Sequence, residues 1–159
     1  MPIYGLPRVI EQLRIRFAYI FATENRYEGA PSVRVTEVDA STPFPLFGQE
    51  VIPIAVEHGS LPILGYRIGK LAYITDAKHI QEAELSKLYK VDTLVLNALR
   101  KAPHPTHLNI AEAMEIVKEV HPKQAFFTHI SQTMGFHAKV QKELPKNVYL
   151  AYDKLTIKI

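Results

Sequence analysis

The spacing of apolar positions changes character along the chain: helical at first, then alternating, then a succession of the two. Pro7 opens a segment in which Val9, Ile10, Leu13 and Phe17 recur at helical intervals, with Arg8, Arg14 and Arg16 between them. Proline suits a first helical turn, where its missing N–H has no intrahelical partner to lose. Residues 24–31 are polar, contain Gly29 and predict a connection. From 32 to 74 the pattern predicts short strands: Val33, Val35 and Val38, then 51–56, 63–68 and 71–74. Gly69-Lys70, between the last two, is a tight-turn signal for a hairpin.

Beyond Asp76 the chain alternates between helix and strand. Residues 81–89 predict a helix and 93–96 a buried strand. Asn109 is placed to cap a helix carrying Ile110, Ala113, Val117 and Val120, with Glu112 at the reciprocal capping position and Pro122 as the stop. An apolar strand over 125–128, a helix over 137–144 and a closing hairpin over 148–159 complete the reading. A β-meander running into β-α-β-α-β predicts an α/β layer structure.

Composition narrows the chemistry more than the fold. The 159 residues are 47% hydrophobic and 22% charged, a balance for one folded domain rather than a disordered chain. No apolar run approaches the roughly 18 residues a membrane helix needs, and the N-terminus lacks the pattern of a signal peptide; a cytoplasmic location is the expectation. There is no cysteine, so His, Asp and Glu are the available metal ligands. The formal charge of +3 is a slender argument for nucleic acid, and no basic cluster with interleaved aromatics supports one.

Seven histidines then draw the eye to strand ends. His58 follows the 51–56 run, Asp76 the 71–74 run and His129 the 125–128 run, all at the C-terminal ends where α/β folds build sites. Taken singly, each reads first as a surface or capping residue, Asp76 as the cap of the next helix; the three together at strand ends read equally as ligands. His104 and His107 lie in Pro103-His104-Pro105-Thr106-His107 before the Asn109 cap, either as plain loop residues or as groups held near an anion at a helix N-terminus. His79, His121 and His137 read as solvated or capping residues.

In order, Val56-Glu57-His58-Gly59-Ser60, Leu64-Gly65-Tyr66-Arg67-Ile68, Ile74-Thr75-Asp76-Ala77, Leu94-Val95-Leu96-Asn97-Ala98-Leu99-Arg100, Thr106-His107-Leu108-Asn109, Thr128-His129-Ile130-Ser131 and Leu150-Ala151-Tyr152-Asp153 resemble the second half of metallo-β-lactamase-fold hydrolases. The likeness is to the branch of the phosphonate-pathway cyclic phosphodiesterase, with the tRNA 3′-processing endonucleases more distant. It implies the C-terminal part of an αββα sandwich, with 1–159 forming a single partial domain. It also implies a centre of two divalent ions (zinc first, manganese or iron also suited) in which His58 ligates one ion, His129 the other and Asp76 bridges both. His107 would face the substrate, a small phosphodiester or nucleotide.

Two departures from that family's pattern stand out. The family's upstream H-x-H-x-D-H motif is absent, so Met1 resembles a start within a longer gene, and the chain alone is expected to be inactive with partial or no metal. Gln132 stands where relatives of the branch often carry another histidine. The competing expectation is a non-catalytic binding or assembly module. In either case a homo-oligomer is expected, because apolar strands are normally covered on both faces.

Overall fold

The computed structural model describes residues 1–158, in two compact units, 1–42 and from 43 onward. In the first unit β1 (Pro2–Gly5) pairs in parallel with β2 (Arg34–Glu37). Between them lie α1 (Pro7–Arg16) and the short α2 (Ala18–Phe21). Pro7 does open α1, Arg14 and Arg16 sit in its last turn facing the negative end of the helix dipole, and Ile10 is its buried residue. The strand β1 escaped the sequence reading because only four residues, two of them partly exposed, carry it.

The second unit is built on one seven-stranded sheet in sequence order. Four strands form an antiparallel meander: β3 (Phe44–Leu46), β4 (Gln49–His58), β5 (Leu61–Ile68) and β6 (Leu71–Ile74). Its turns are two-residue hairpins: Phe47-Gly48, Gly59-Ser60 and the expected Gly69-Lys70. Phe47 and Gly48 both take positive φ, as a turn matched to strand twist requires. The sheet continues in parallel through β7 (Thr93–Asn97), β8 (Gln124–Thr128) and β9 (Val148–Leu150).

Helices form the crossovers: α3 (Glu82–Leu85) before β7, α4 (Ile110–Val120) before β8 and α5 (His137–Gln141) before β9. One face of the sheet supplies Ile54, Val56, Ile74, Leu94, Leu96, Phe127 and Val148 to a core completed by Leu85, Leu88, Val117, Val120 and Val140 from the crossovers. Every residue of β7 is buried, as a central parallel strand demands. This is the α/β architecture expected, with the C-terminal ends of β6, β7 and β8 side by side.

Two expected elements are corrected. The 81–89 helix is only α3 followed by a 3₁₀ turn, Ser86–Leu88. The Ser86 hydroxyl donates to the Ala83 carbonyl at 2.7 Å, and a hydroxyl bonding back in this way competes with the helical ladder. The closing hairpin over 148–159 has one strand among the described residues, and β9 runs parallel to β8; its end at Ile159 lies outside them. The Gln141 side chain accepts from Leu150 N–H at 2.8 Å and donates to the Val148 carbonyl at 2.9 Å. A side-chain amide thus occupies the edge where a hairpin partner would pair.

Candidate metal centre

The three strand-end residues are presented by three sharp turns. Asp76 lies two residues past β6 with φ 61°, and His129 follows β8 directly with φ 57°. Both occupy the left-handed region, which costs a side-chain-bearing residue free energy and turns the chain out of the strand direction. His58 ends β4, and Gly59 after it has φ 62°. His107 reaches the same place from the loop before α4.

These turns bring carboxylate and imidazole atoms together. The Asp76 Oδ1 lies 3.3 Å from His129 Nε2 and 3.4 Å from His107 Nε2, and the two Nε2 atoms are 3.1 Å apart. One ligand atom from each of Asp76, His107 and His129 falls within 4.8 Å of the others. The His107 and His129 rings stack with centroids 4.8 Å apart, and the His58 ring meets His107 edge-on at 4.5 Å. Of the expected set, Asp76 and His129 are thus in direct contact. His58 stands against His107, and His107 itself joins the ligand cluster.

The surroundings orient the rings. His58 Nδ1 is 2.9 Å from the Thr106 carbonyl. A carbonyl only accepts, so Nδ1 carries a proton and donates it there, an orienting bond common for metal-binding histidines. The Thr106 N–H donates to His104 Nδ1 at 3.3 Å, and its hydroxyl lies 2.9 Å from His107 Nδ1. His104 and Thr106 therefore back the site. The sequence signal was the Pro103–His107 loop itself, but which histidine faces inward was not readable from it. His79 and His121 are exposed, and His121 is the left-handed C-cap of α4; His137 starts α5 and bonds the Leu150 carbonyl at 3.1 Å.

Electrostatics favours a neutral His107 beside a charged Asp76. Burial lowers the His107 pKa, and the neighbouring His129, His58 and His104 push the same way; the Asp76 hydrogen bond opposes them and loses. Burial also works against an ionised Asp76, but the Thr75 hydroxyl, the His129 charge and the His107 hydrogen bond outweigh it and hold the carboxyl below its ordinary range. His107 keeps 12% of its side chain in solvent against 38% for Asp76 and 39% for His129, so the latter two remain reachable by a ligand. Ionised carboxylate plus neutral imidazole is a donor set that fits zinc, manganese or iron. A cleft of about 220 Å³ lined by Thr128, His129, Ile130, Ala151, Tyr152 and Asp153 adjoins it.

Known proteins share this arrangement of chain. A crystal structure of a diphosphatase from the PhnP family superposes with a TM-score of 0.88 at 34% identity, over 99% of this chain and 58% of that one. Human tRNase Z, short form, superposes with a TM-score of 0.69 at 18% identity over 99% of this chain and 67% of its own, a likeness of fold. The zinc-bound PqqB of Methylobacterium extorquens does so with a TM-score of 0.73 at 16% identity, over 100% of this chain and 65% of that one. A protein of Porphyromonas gingivalis named octanoyltransferase is 32% identical over 156 residues, which are 98% of this chain and 32% of that protein. The chain thus spans about a third of its curated relative and under two thirds of the diphosphatase. Residues 1–130 match the model of the beta-lactamase superfamily domain, and with a seven-stranded sheet whose parallel edge gathers Asp76, His107 and His129, the chain belongs to that family, among the metallo-β-lactamase-fold hydrolases.

Proposed function

We propose that this chain carries the second half of a binuclear metal-dependent hydrolase centre acting on phosphoric esters, a small phosphodiester or nucleotide being the substrate class. The observation that carries the reading is the convergence of one ligand atom each from Asp76, His107 and His129 within 4.8 Å, with the His58 ring against His107. His58, Asp76 and His129 would hold two divalent ions, zinc first among them. Bound ions would lower the pKa of a water and draw charge from the phosphoryl oxygens. His107, kept neutral by burial and by its imidazole neighbours, would hold or pass the proton at Nε2, with Thr106 and His104 fixing its ring.

Three protein ligands are fewer than two ions need. The chain by itself should therefore bind metal weakly and fail to hydrolyse bis(p-nitrophenyl) phosphate with added zinc or manganese. A longer polypeptide that adds a histidine-rich ligand set should turn it over, and His107→Ala in that context should lose rate far more than metal. Robust turnover by the 159 residues, or equal metal uptake by a His58→Ala/Asp76→Asn/His129→Ala variant and the wild type, would sink this reading. Self-association accompanies it: Tyr73 and Tyr149, on sheet strands, are 48% and 39% exposed, surface that a second copy could cover.

A further inference from the structure

Asn97, the last residue of β7, is fully buried and plays no part in the centre as described. A buried amide is costly unless both its ends are paired. Here both ends go to a single residue. Its Oδ1 accepts from the Ala77 N–H at 2.8 Å, and its Nδ2 donates to the Ala77 carbonyl at 2.9 Å. The parallel ladder between β6 and β7 runs from Leu71 opposite Thr93 to Ile74 opposite Leu96 and then stops. It stops where the main chain swings into the left-handed turn at Asp76. At the next position β7 answers with a side chain offering the same acceptor and donor that a strand would have offered.

The other two turns meet the same point. The Ala77 carbonyl also accepts from the N–H of Leu108, next to His107, at 2.8 Å. Asn97 lies in register with Thr128, next to His129, and the Ala98 N–H donates to the Thr128 carbonyl at 3.0 Å. One buried amide therefore stands at the junction of the turns that present Asp76, His107 and His129.

We propose that Asn97 is a positioning residue for the metal centre: by clasping the Ala77 peptide it fixes the Asp76 carboxylate in the left-handed turn where it meets His107 and His129. The consequence for metal rests on the metal-centre reading above; the clasp and the turn it holds do not. Without the amide, Ala77 keeps the Leu108 N–H on its carbonyl but loses both side-chain bonds from β7, and the Asp76 turn is freer to relax to extended backbone. The carboxylate then keeps its charge but not its place.

The test uses Asn97→Leu, which removes both hydrogen bonds at similar volume, and Asn97→Asp. A carboxyl this buried stays protonated and presents the same carbonyl and donor pair, so the aspartate should rescue. Zinc and manganese titrations of the folded proteins are expected to show binding about 10–100-fold weaker for N97L, as for other groups that orient ligands, and close to wild type for N97D. Val117→Ala, a core truncation in α4, should lower Tm while leaving metal affinity unchanged; an equal loss of affinity there would reduce Asn97 to a stability residue. A crystal structure of metal-free N97L should show Asp76 out of the positive-φ region. Wild-type metal affinity in N97L, or Asp76 still at its original φ in that crystal, overturns the proposal. Should N97L not fold, Asn97→Ser, too short to make both contacts, carries the same two measurements. If the wild type itself takes up no metal, the metal-centre reading fails and the metal-free crystal alone decides the role of Asn97.

Discussion

At the scale of single residues, the backbone angles at Asp76, His129 and Gly59 do as much for the centre as the side-chain chemistry. Gly59 shows this most simply. A Cβ there would lie 2.9 Å from the Thr106 Cγ2, and its φ of 62° disfavours any side chain. Gly59→Ala should therefore cost roughly 1–3 kcal/mol in urea denaturation. It should also displace Thr106, whose carbonyl orients His58, so metal affinity should fall along with stability. The sequence displayed the ligand types at strand ends, because apolar runs mark where strands stop. It did not display left-handed turns at an aspartate and a histidine, since nothing in either residue type demands positive φ. Asn97 was hidden for a related reason: at the end of an apolar run it resembles a strand terminus, and only the three-dimensional register shows which peptide its amide meets.

Among elements, α4 was the most legible, because its signals are local. Asn109 accepts from the Glu112 N–H at 2.9 Å while Glu112 accepts from the Asn109 N–H at 2.8 Å, the reciprocal cap read from the sequence. Asn109→Ala should cost about 1 kcal/mol or somewhat more, measured by chemical denaturation. Partial burial opposes the charge on Glu112, but Lys78 at 2.7 Å and the Asn109 N–H overcome it and set its pKa below the usual 4.5. The folded form thus releases this proton more readily than the unfolded form does. The stabilisation is complete above about pH 4.5 and is lost as pH falls through the lower folded value. Glu112→Gln should flatten this part of the acid limb, so wild type and variant converge in urea midpoint as pH drops from 7 to 3; parallel pH curves would refute it. Where the elements were misread, a side chain outcompeted a pattern: Ser86 in the shortened α3 and Gln141 along the edge of β9. Such non-periodic contacts leave no trace in hydrophobic spacing.

For the whole molecule, the antiparallel-to-parallel sheet and its helical crossovers were readable because strand and helix periods differ so plainly after Asp76. Self-association remains open to a direct experiment. Light scattering at micromolar concentration should give a dimer or larger species, and Tyr73→Lys with Tyr149→Lys should shift it toward monomer; a monodisperse wild-type monomer would rule the assembly out. The parallel arrangement carries a kinetic consequence as well. His58 reaches a carbonyl 48 positions away, and Asp76 a histidine 31 positions away, across parallel strands joined by crossovers. Contacts so distant in sequence close late during folding, since their loop entropy is met before they return any stabilisation. Newly made chains should accordingly pass through a collapsed meander with no place for an ion, and loading should follow folding rather than guide it. Stopped-flow refolding should then run at the same rate with and without zinc, while unfolding slows when zinc is present.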